Sequence, residues 1–374
     1  MKPLAIYIHV PFCVRKCAYC DFASFAGRQD VWKKYFDALL GEMDSWKDKL
    51  RTCEVRSVFF GGGTPSLVPA EYIASVMARL KSHALFAPDC EITLEANPGT
   101  LTPEKLAVYR SAGINRLSIG VQSFDAGLLK SLGRIHSPEE AEAAVLMAKE
   151  AGFDNISIDL MYALPGQTMS QWLDTLKKAV SLPLKHISAY SLIVEEGTEM
   201  HRRVEAREVS IPDDDSVNEM QRMAVDFLGR NGFARYEISN YARPGFESRH
   251  NITYWEVGDY LGFGSAAHSL ADNERFANPP ELERYLAGER MLDRQRRCEA
   301  DRKEEHIMLE TRMTRGLDLA AWKQNFGEDF AEKHAHAVRK LENYGLIEIE
   351  NGFLRLTTMG LELQDSVVLE LLED

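Results

Sequence analysis

The chain has 374 residues, 45% of them hydrophobic and 27% charged, an ordinary globular composition with length for a large core and one or two smaller domains. Its formal net charge of -13 opposes broad attraction to nucleic acid or to an anionic membrane surface and favours a small-molecule or protein partner. No segment approaches the ~20 uninterrupted apolar residues of a membrane helix, and the start MKPLAIYIHVPFC is too short and too interrupted for a signal peptide, so a cytoplasmic protein is expected.

Short β-rich runs punctuate the first half: LAIYIH at 4–9, VRSVFF at 55–60, CEITLE at 90–95, INRLSI at 114–119, NISIDL at 155–160 and HISAYS at 186–191. Amphipathic stretches separate them. In SPEEAEAAVLMAKEAG, Ser137 can cap a helix, Pro138 suits its first turn, Glu140 completes a capping box and Gly152 supplies a left-handed stop. Such alternation over about six units implies parallel strands with helical crossovers, an α/β fold in the form of a partial or full β/α barrel. Ligands of such a barrel gather at the C-terminal ends of its strands. The chain puts a cysteine loop after the first strand, GGGTP after the second, Glu95 at the end of the third, GVQSF after the fourth and Asp159 at the end of the fifth. A series on one rim points to a single site.

After about residue 195 the rhythm breaks. The acidic run Asp213, Asp214, Asp215 reads as the N-terminal cap of a helix near 214–230, not as a metal site. An aromatic, glycine-rich region at 233–270 follows, containing RHNITYW and YLGFGSAAHS. From about residue 300 the pattern is helix, turn, helix, then LENYGLIEIENGFLRLT, whose two strands turn at Asn351-Gly352. This resembles a winged-helix module, and the acidic chain suggests that it packs or forms a lid and does not bind DNA. The expected units are a barrel core over 1–195, an α+β extension over 196–295 and a C-terminal winged-helix-like domain over 296–374.

In PFCVRKCAYCDF three thiols, Cys13, Cys17 and Cys20, are spaced C-x3-C-x2-C and can wrap one face of a metal centre. A structural zinc site wants four ligands, and the next cysteine, Cys53, lies beyond a predicted helix. An iron–sulfur cube held by three cysteines would keep one iron open. Spacing alone admits that cluster, a zinc site or redox thiols.

YIHVPFCVRKCAYCDF followed by GGGTP closely resembles the radical SAM superfamily, whose three cysteines hold a [4Fe–4S] cluster and whose fourth iron is chelated by S-adenosylmethionine (SAM). A fourth thiolate on the cube would block that corner. The resemblance narrows to the branch containing oxygen-independent coproporphyrinogen III dehydrogenase (HemN) and the heme chaperone HemW, and covers essentially the whole chain: YIHVPFC, FFGGGTPS, EANP, INRLSIGVQSF, LGRIHS, IDLMYALPGQT and the C-terminal module. It implies an incomplete (β/α)6 radical SAM barrel with Cys13, Cys17 and Cys20 as cluster ligands. It also implies SAM contacts from Tyr7, Tyr19, Gly62, Gly63, Thr64, Glu95, Gln122, Arg134 and Asp159. Glycines allow close backbone approach, carboxylates can hold an ammonium or ribose hydroxyls, and Arg134 can pair with a carboxylate.

Within the branch, the dehydrogenase motif continues to C-x3-C-x2-C-x-C, whereas this chain has Phe22 at the last position. The dehydrogenase also carries a substantial segment ahead of its cluster loop, and here Cys13 is almost at the start. HNITYW matches the H-N-x-x-Y-W pattern associated with heme in HemW-like proteins. By that resemblance His250 offers an axial imidazole, Tyr254 and Trp255 flat apolar surface, and Asn251 an orienting amide, with Arg243 and Arg249 near enough for propionates. The plainer reading of His250 is a packed, hydrogen-bonded strand-end residue. His268 is a second candidate heme contact and His9 a neighbour of the cluster loop, while His306, His334 and His336 read as helix-surface residues. Cys53, Cys90 and Cys298 read as buried small hydrophobes or free thiols.

The implied function is a heme chaperone with a [4Fe–4S] cluster, SAM and heme as cargo, delivering heme to apo-hemoproteins such as respiratory enzymes. It would need an electron donor, could form a homodimer, and would reach membranes only through its clients. The enzyme alternative is oxidative decarboxylation of coproporphyrinogen III to protoporphyrinogen IX.

Overall fold

The computed structural model describes residues 1–373. Six strands run parallel in chain order: β1 (Lys2–Val10), β2 (Cys53–Gly62), β3 (Leu85–Ala96), β4 (Arg116–Gln122), β5 (Asn155–Tyr162) and β6 (His186–Ser191). Their crossovers include α1 (Trp32–Ser45), α2 (Ala70–His83), α3 (Pro103–Ala112), α4 (Pro138–Glu150) and α5 (Met169–Ser181). The strands alternate: Leu117, Ile119, Ile156 and Ile158 belong to the hydrophobic core, whereas their neighbours Arg116, Ser118 and Ser157 are buried polar residues on the opposite face. Boundary chemistry is as read from sequence in α4, where the Ser137–Glu140 capping box is made and Gly152 has φ +87°.

The remaining strands extend this sheet at both ends. The short β7 (Ala234–Arg235) and β8 (Asn240–Ala242) add antiparallel beyond β6. On the other side β9 (Tyr260–Phe263) pairs parallel with β1, and β10 (His268–Ala271), β11 (Glu274–Ala277) and β12 (Leu292–Arg296) follow as an antiparallel meander. The order across the 12-stranded sheet is β12-β11-β10-β9-β1-β2-β3-β4-β5-β6-β8-β7, so neither end closes on the other and the barrel is incomplete.

Between these strands lie α6 (Asp214–Arg230), capped by Asp213 as expected, and α7 (Arg249–Trp255). Beyond them, α8 (Glu299–Glu310) leads into an antiparallel sheet of β13 (Leu317–Asp318), β14 (Ile347–Glu350) and β15 (Phe353–Leu356) in the order β13-β15-β14. Asn351 and Gly352 turn its hairpin with φ +54° and +84°. This module has its own core around Trp322, Phe330, Leu341 and Leu354.

Several expected positions shift. The fourth strand begins at Arg116 and runs to Gln122, so Gly120, Val121 and Gln122 belong to it, and Gln122 ends it at φ +65°. Asp159 lies within β5, facing the interior, and not at its end. HNITYW is helix α7, so His250 is not at a strand end. His306 and His334 are half-buried, His306 bonded to Glu310 and edge-on to Phe326 and His334 stacked on Phe330 at 4.4 Å, while His336 is exposed. Cys53 and Cys90 are buried, whereas exposed Cys298 caps α8.

Candidate functional site

The glycine run holds the cysteine loop in place. Gly63 donates its N–H to the Val10 carbonyl at 2.9 Å, and Thr64 donates to that of Phe12 at 2.8 Å. A Cβ at Gly63 would lie 2.7 Å from the Phe12 nitrogen, and one at Gly62, where φ is +106°, would run into the His9 ring. Both glycines are therefore required for backbone and ring contact inside the protein, whatever they offer a ligand. From its other side the loop is stitched by Ala18, which donates to the Leu132 carbonyl at 3.1 Å and accepts from Met200 at 2.7 Å.

Cys13, Cys17 and Cys20 are free, half-buried thiols. Thr64 Oγ1 donates to Cys13 Sγ at 3.7 Å, and Arg134 Nη1 donates to Cys17 Sγ at 3.6 Å. Burial raises the thiol pKa of Cys13 and of Cys20, so binding a metal centre must displace their protons. Among the described residues no three His, Cys, Asp or Glu side chains gather as ligands of a single metal ion. All three cysteines line one cavity of about 140 Å³.

That cavity brings together the cysteines with Tyr19, Gly62, Gly63, Thr64, Glu95, Gln122, Arg134 and Asp159. Its floor is acidic. Burial, and then the nearby Asp159, push the Glu95 carboxyl up to about 8 although Gly62 N–H donates to it at 3.3 Å. Burial likewise raises Asp159, against hydrogen bonds from Ser188 and Ser118. Buried Arg116 supplies an opposing charge beneath them. The chemistry suits a ligand with an ammonium or sulfonium centre and hydroxyl donors. Arg134, bonded to Asn97 Oδ1 at 2.7 Å and to the Gly120 carbonyl, suits its carboxylate. Asn97, Ser118, Gly120 and Tyr190 also line the cavity and were not singled out from sequence. Asn97 was within reach of that reasoning, because it lies two residues beyond Glu95 on the same rim.

Tyr7 does not join this set. Its hydroxyl meets His9 Nδ1 at 3.0 Å, and His9 Nε2 must donate to the Ala23 carbonyl at 2.9 Å. Burial lowers His9 to about 4, so the ring is neutral. Tyr7 and His9 line a second, larger cavity of about 680 Å³, whose wall includes Tyr254, Trp255, Tyr260, His268, Leu270, Arg275 and Leu309. Phe22, Gly62 and Glu95 line both cavities, which adjoin there.

Of the HNITYW residues, Tyr254 and Trp255 reach the larger cavity, whereas His250 and Asn251 are not in its wall. His250 is 1% exposed, with Nδ1 on Ser57 Oγ at 2.9 Å, Nε2 on the Tyr254 hydroxyl at 2.8 Å and its ring stacked on Phe59. The imidazole expected to be offered to iron thus has both nitrogens engaged behind the wall. The Glu91 carboxylate accepts from the N–H groups of Arg249 and His250 at 3.3 Å each, anchoring the start of α7. Arg249 pairs with Asp89 and Arg243 lies over Phe233, so neither of these arginines faces the cavity.

The family profile of the radical SAM superfamily matches residues 7–179, and that of the HemN C-terminal domain matches 299–363. Coproporphyrinogen III oxidase (HemN) from Escherichia coli, described as a radical SAM enzyme, superposes with a TM-score of 0.85 at 24% identity, covering 99% of this chain and 90% of that one. Barrel, cysteine rim and profile define the class as radical SAM. The heme chaperone HemW of Haemophilus influenzae is 37% identical over 92% of this chain and 91% of its own length, and that of Lactococcus lactis is 34% identical over 100% and 98%. HemW of Bacillus subtilis is 33% identical over 95% of each chain. The chain belongs to the HemW family.

Proposed function

We propose that this protein binds heme and hands it to apo-hemoproteins, using a [4Fe–4S] cluster and SAM held at the cysteine rim. One observation carries the reading: a small acidic cavity ringed by three thiols opens beside a large aromatic one, and the two share Phe22, Gly62 and Glu95. Cys13, Cys17 and Cys20 would hold the cluster, which, once reduced by the electron donor, would supply the electron for any reductive cleavage of SAM. Glu95 and Asp159 would take the ammonium and hydroxyl groups of SAM, Arg134 its carboxylate, and Gly62, Gly63, Thr64, Tyr19 and Gln122 its remaining surface. The larger cavity, with Tyr254 and Trp255 in its wall, falls within the ~300–1,000 Å³ of small-molecule sites and presents aromatic faces to a flat macrocycle.

Phe22 favours the chaperone over the dehydrogenase, because it puts an apolar ring where the enzyme's motif has a further thiol. Among the described residues no helix is long and apolar enough to cross a membrane, so clients such as respiratory enzymes would be met by docking. An electron donor and a homodimer belong to the same proposal. The test is heme transfer from the loaded protein to an apo-cytochrome, followed by the acceptor's absorption spectrum. Robust anaerobic conversion of coproporphyrinogen III to protoporphyrinogen IX would overturn the chaperone reading in favour of the enzyme.

A further inference from the structure

One wall of the larger cavity is the β10–β11 hairpin. Its two turn residues, Asp272 and Asn273, have φ +52° and +67°, the left-handed pair of a tight hairpin turn, and fix the register Ala271 to Glu274, Leu270 to Arg275 and His268 to Ala277. Side chains two apart on a strand share a face, and cross-strand partners sit side by side on it. His268, Leu270 and Arg275 therefore form one patch, and all three line the cavity. A slip of one residue would turn the whole patch away.

Two imidazoles reach that cavity, and they are not equivalent. His9 has both nitrogens committed, to Tyr7 and to Ala23. His268 is exposed, and among the described residues its ring has no hydrogen-bond or ion-pair partner. His250 is behind the wall with both nitrogens engaged. Arg275 is held by Glu305, at 2.7 Å from Nε, with Nη1 at 3.4 Å from the Tyr260 hydroxyl, leaving Nη2 uncommitted. Across the cavity Trp255 Nε1 is a buried donor with no partner. The backbone lining the cavity is also held in strained conformations, with Val257 at φ +54° and Ala266 at φ +58°.

We infer that His268 is the axial ligand of a heme seated in this cavity, and that Arg275 pairs with one of its propionates. The inference rests on the heme-binding reading above and assigns the iron contact to the hairpin, leaving α7 to supply the aromatic wall. Imidazole nitrogen is a usual axial donor to heme iron, and a guanidinium positioned by its own carboxylate partner presents a fixed fork to a propionate. The iron contact is separable from the macrocycle contact, because protoporphyrin IX has the same ring and propionates without the metal.

The experiment titrates reconstituted full-length protein, as wild type, His268→Ala and Arg275→Ala, with hemin and with protoporphyrin IX, reading the Soret band and quenching of protein fluorescence. His268→Ala is expected to lose the histidine-ligated Soret spectrum, to weaken hemin binding about tenfold and to leave protoporphyrin IX affinity unchanged. Added imidazole should restore the spectrum. Arg275→Ala should weaken both ligands alike. A wild-type hemin spectrum and affinity in His268→Ala would overturn the assignment while leaving heme binding intact, and so would equal loss of both ligands in that variant. No hemin binding by the wild type would remove the heme-binding reading itself, and this assignment with it.

Discussion

Arg134 donates a hydrogen bond to the sulfur of Cys17 across 3.6 Å, from a strand-to-helix connection more than a hundred residues further along the chain. The same guanidinium binds Asn97, so the cysteine loop and the rim after β3 share one clamp.

Replacing Arg134 with Ala should lower iron and sulfide content after anaerobic reconstitution and weaken SAM binding. It should cost about 2–4 kcal/mol of stability, since hydrogen bonds to charged groups are worth ~1.5–3 kcal/mol each. Lysine should rescue poorly, because a point charge cannot span Cys17 and Asn97 together. Full cluster content and unaltered SAM affinity in Arg134→Ala would contradict the clamp.

Glu95 gives the ligand-free protein a pH signature. Its carboxyl ionises at about 8 when folded, against an ordinary 4.5. Between those values the native state keeps a proton that the unfolded chain has released, so stability falls as pH rises through this window. Glu95→Gln should remove the slope and gain on wild type by on the order of a few kcal/mol above about pH 8. Urea midpoints measured near both ends of the window decide it, and an identical offset at each would reject the buried, protonated carboxyl.

Gly63→Ala should fail at the loop and not at SAM. The added methyl would sit 2.7 Å from the Phe12 nitrogen and 2.8 Å from its oxygen, backbone atoms that cannot step aside. A destabilisation of about 1–3 kcal/mol is expected, together with reduced iron incorporation. Normal iron content with only SAM affinity impaired would assign the glycine to the ligand instead.

His250→Ala should act mainly on stability. It strips partners from Ser57 and Tyr254 in a buried setting, at a cost of about 2–4 kcal/mol by urea unfolding. Burial lowers His250 to about 3, so the wild type also loses stability as pH falls from 6.5 toward that value, where the unfolded chain takes up a proton and the native ring does not. The variant should show a shallower acid limb. An unchanged urea midpoint would show that these bonds contribute nothing.

Period and spacing made much of this molecule readable in advance. All six parallel strands overlap the runs read from sequence, and His186–Ser191 coincides with its run residue for residue. The Ser137–Glu140 capping box and the Asn351-Gly352 turn are local chemistry and were equally legible. Three features were not, because each depends on what a side chain meets across the fold. Tyr7 was expected beside SAM; its hydroxyl meets His9, and it lines the adjoining cavity, which shares Gly62 and Glu95 with the smaller one. Gly62 looked like a ligand contact, but it is also the space filled by the His9 ring. For His250 both an offered ligand and a packed, hydrogen-bonded residue were open, and only the position of Ser57 on β2 shows that its second nitrogen is taken. That residues beyond 260 would pair with the first strand had no local signal.

This last pairing fixes an order of assembly. The strand leading into the cysteine loop has Ala5 against Tyr260 on one side and against Ser57 on the other. Closing so long a loop is entropically costly and slow, and β1 remains an open edge on that side until residue 260 has been made. A nascent chain that has already displayed Cys13, Cys17 and Cys20 must therefore complete two thirds of its synthesis before the strand beneath them gains its second neighbour, and a fragment ending before β9 would carry the full thiol set on a half-supported scaffold.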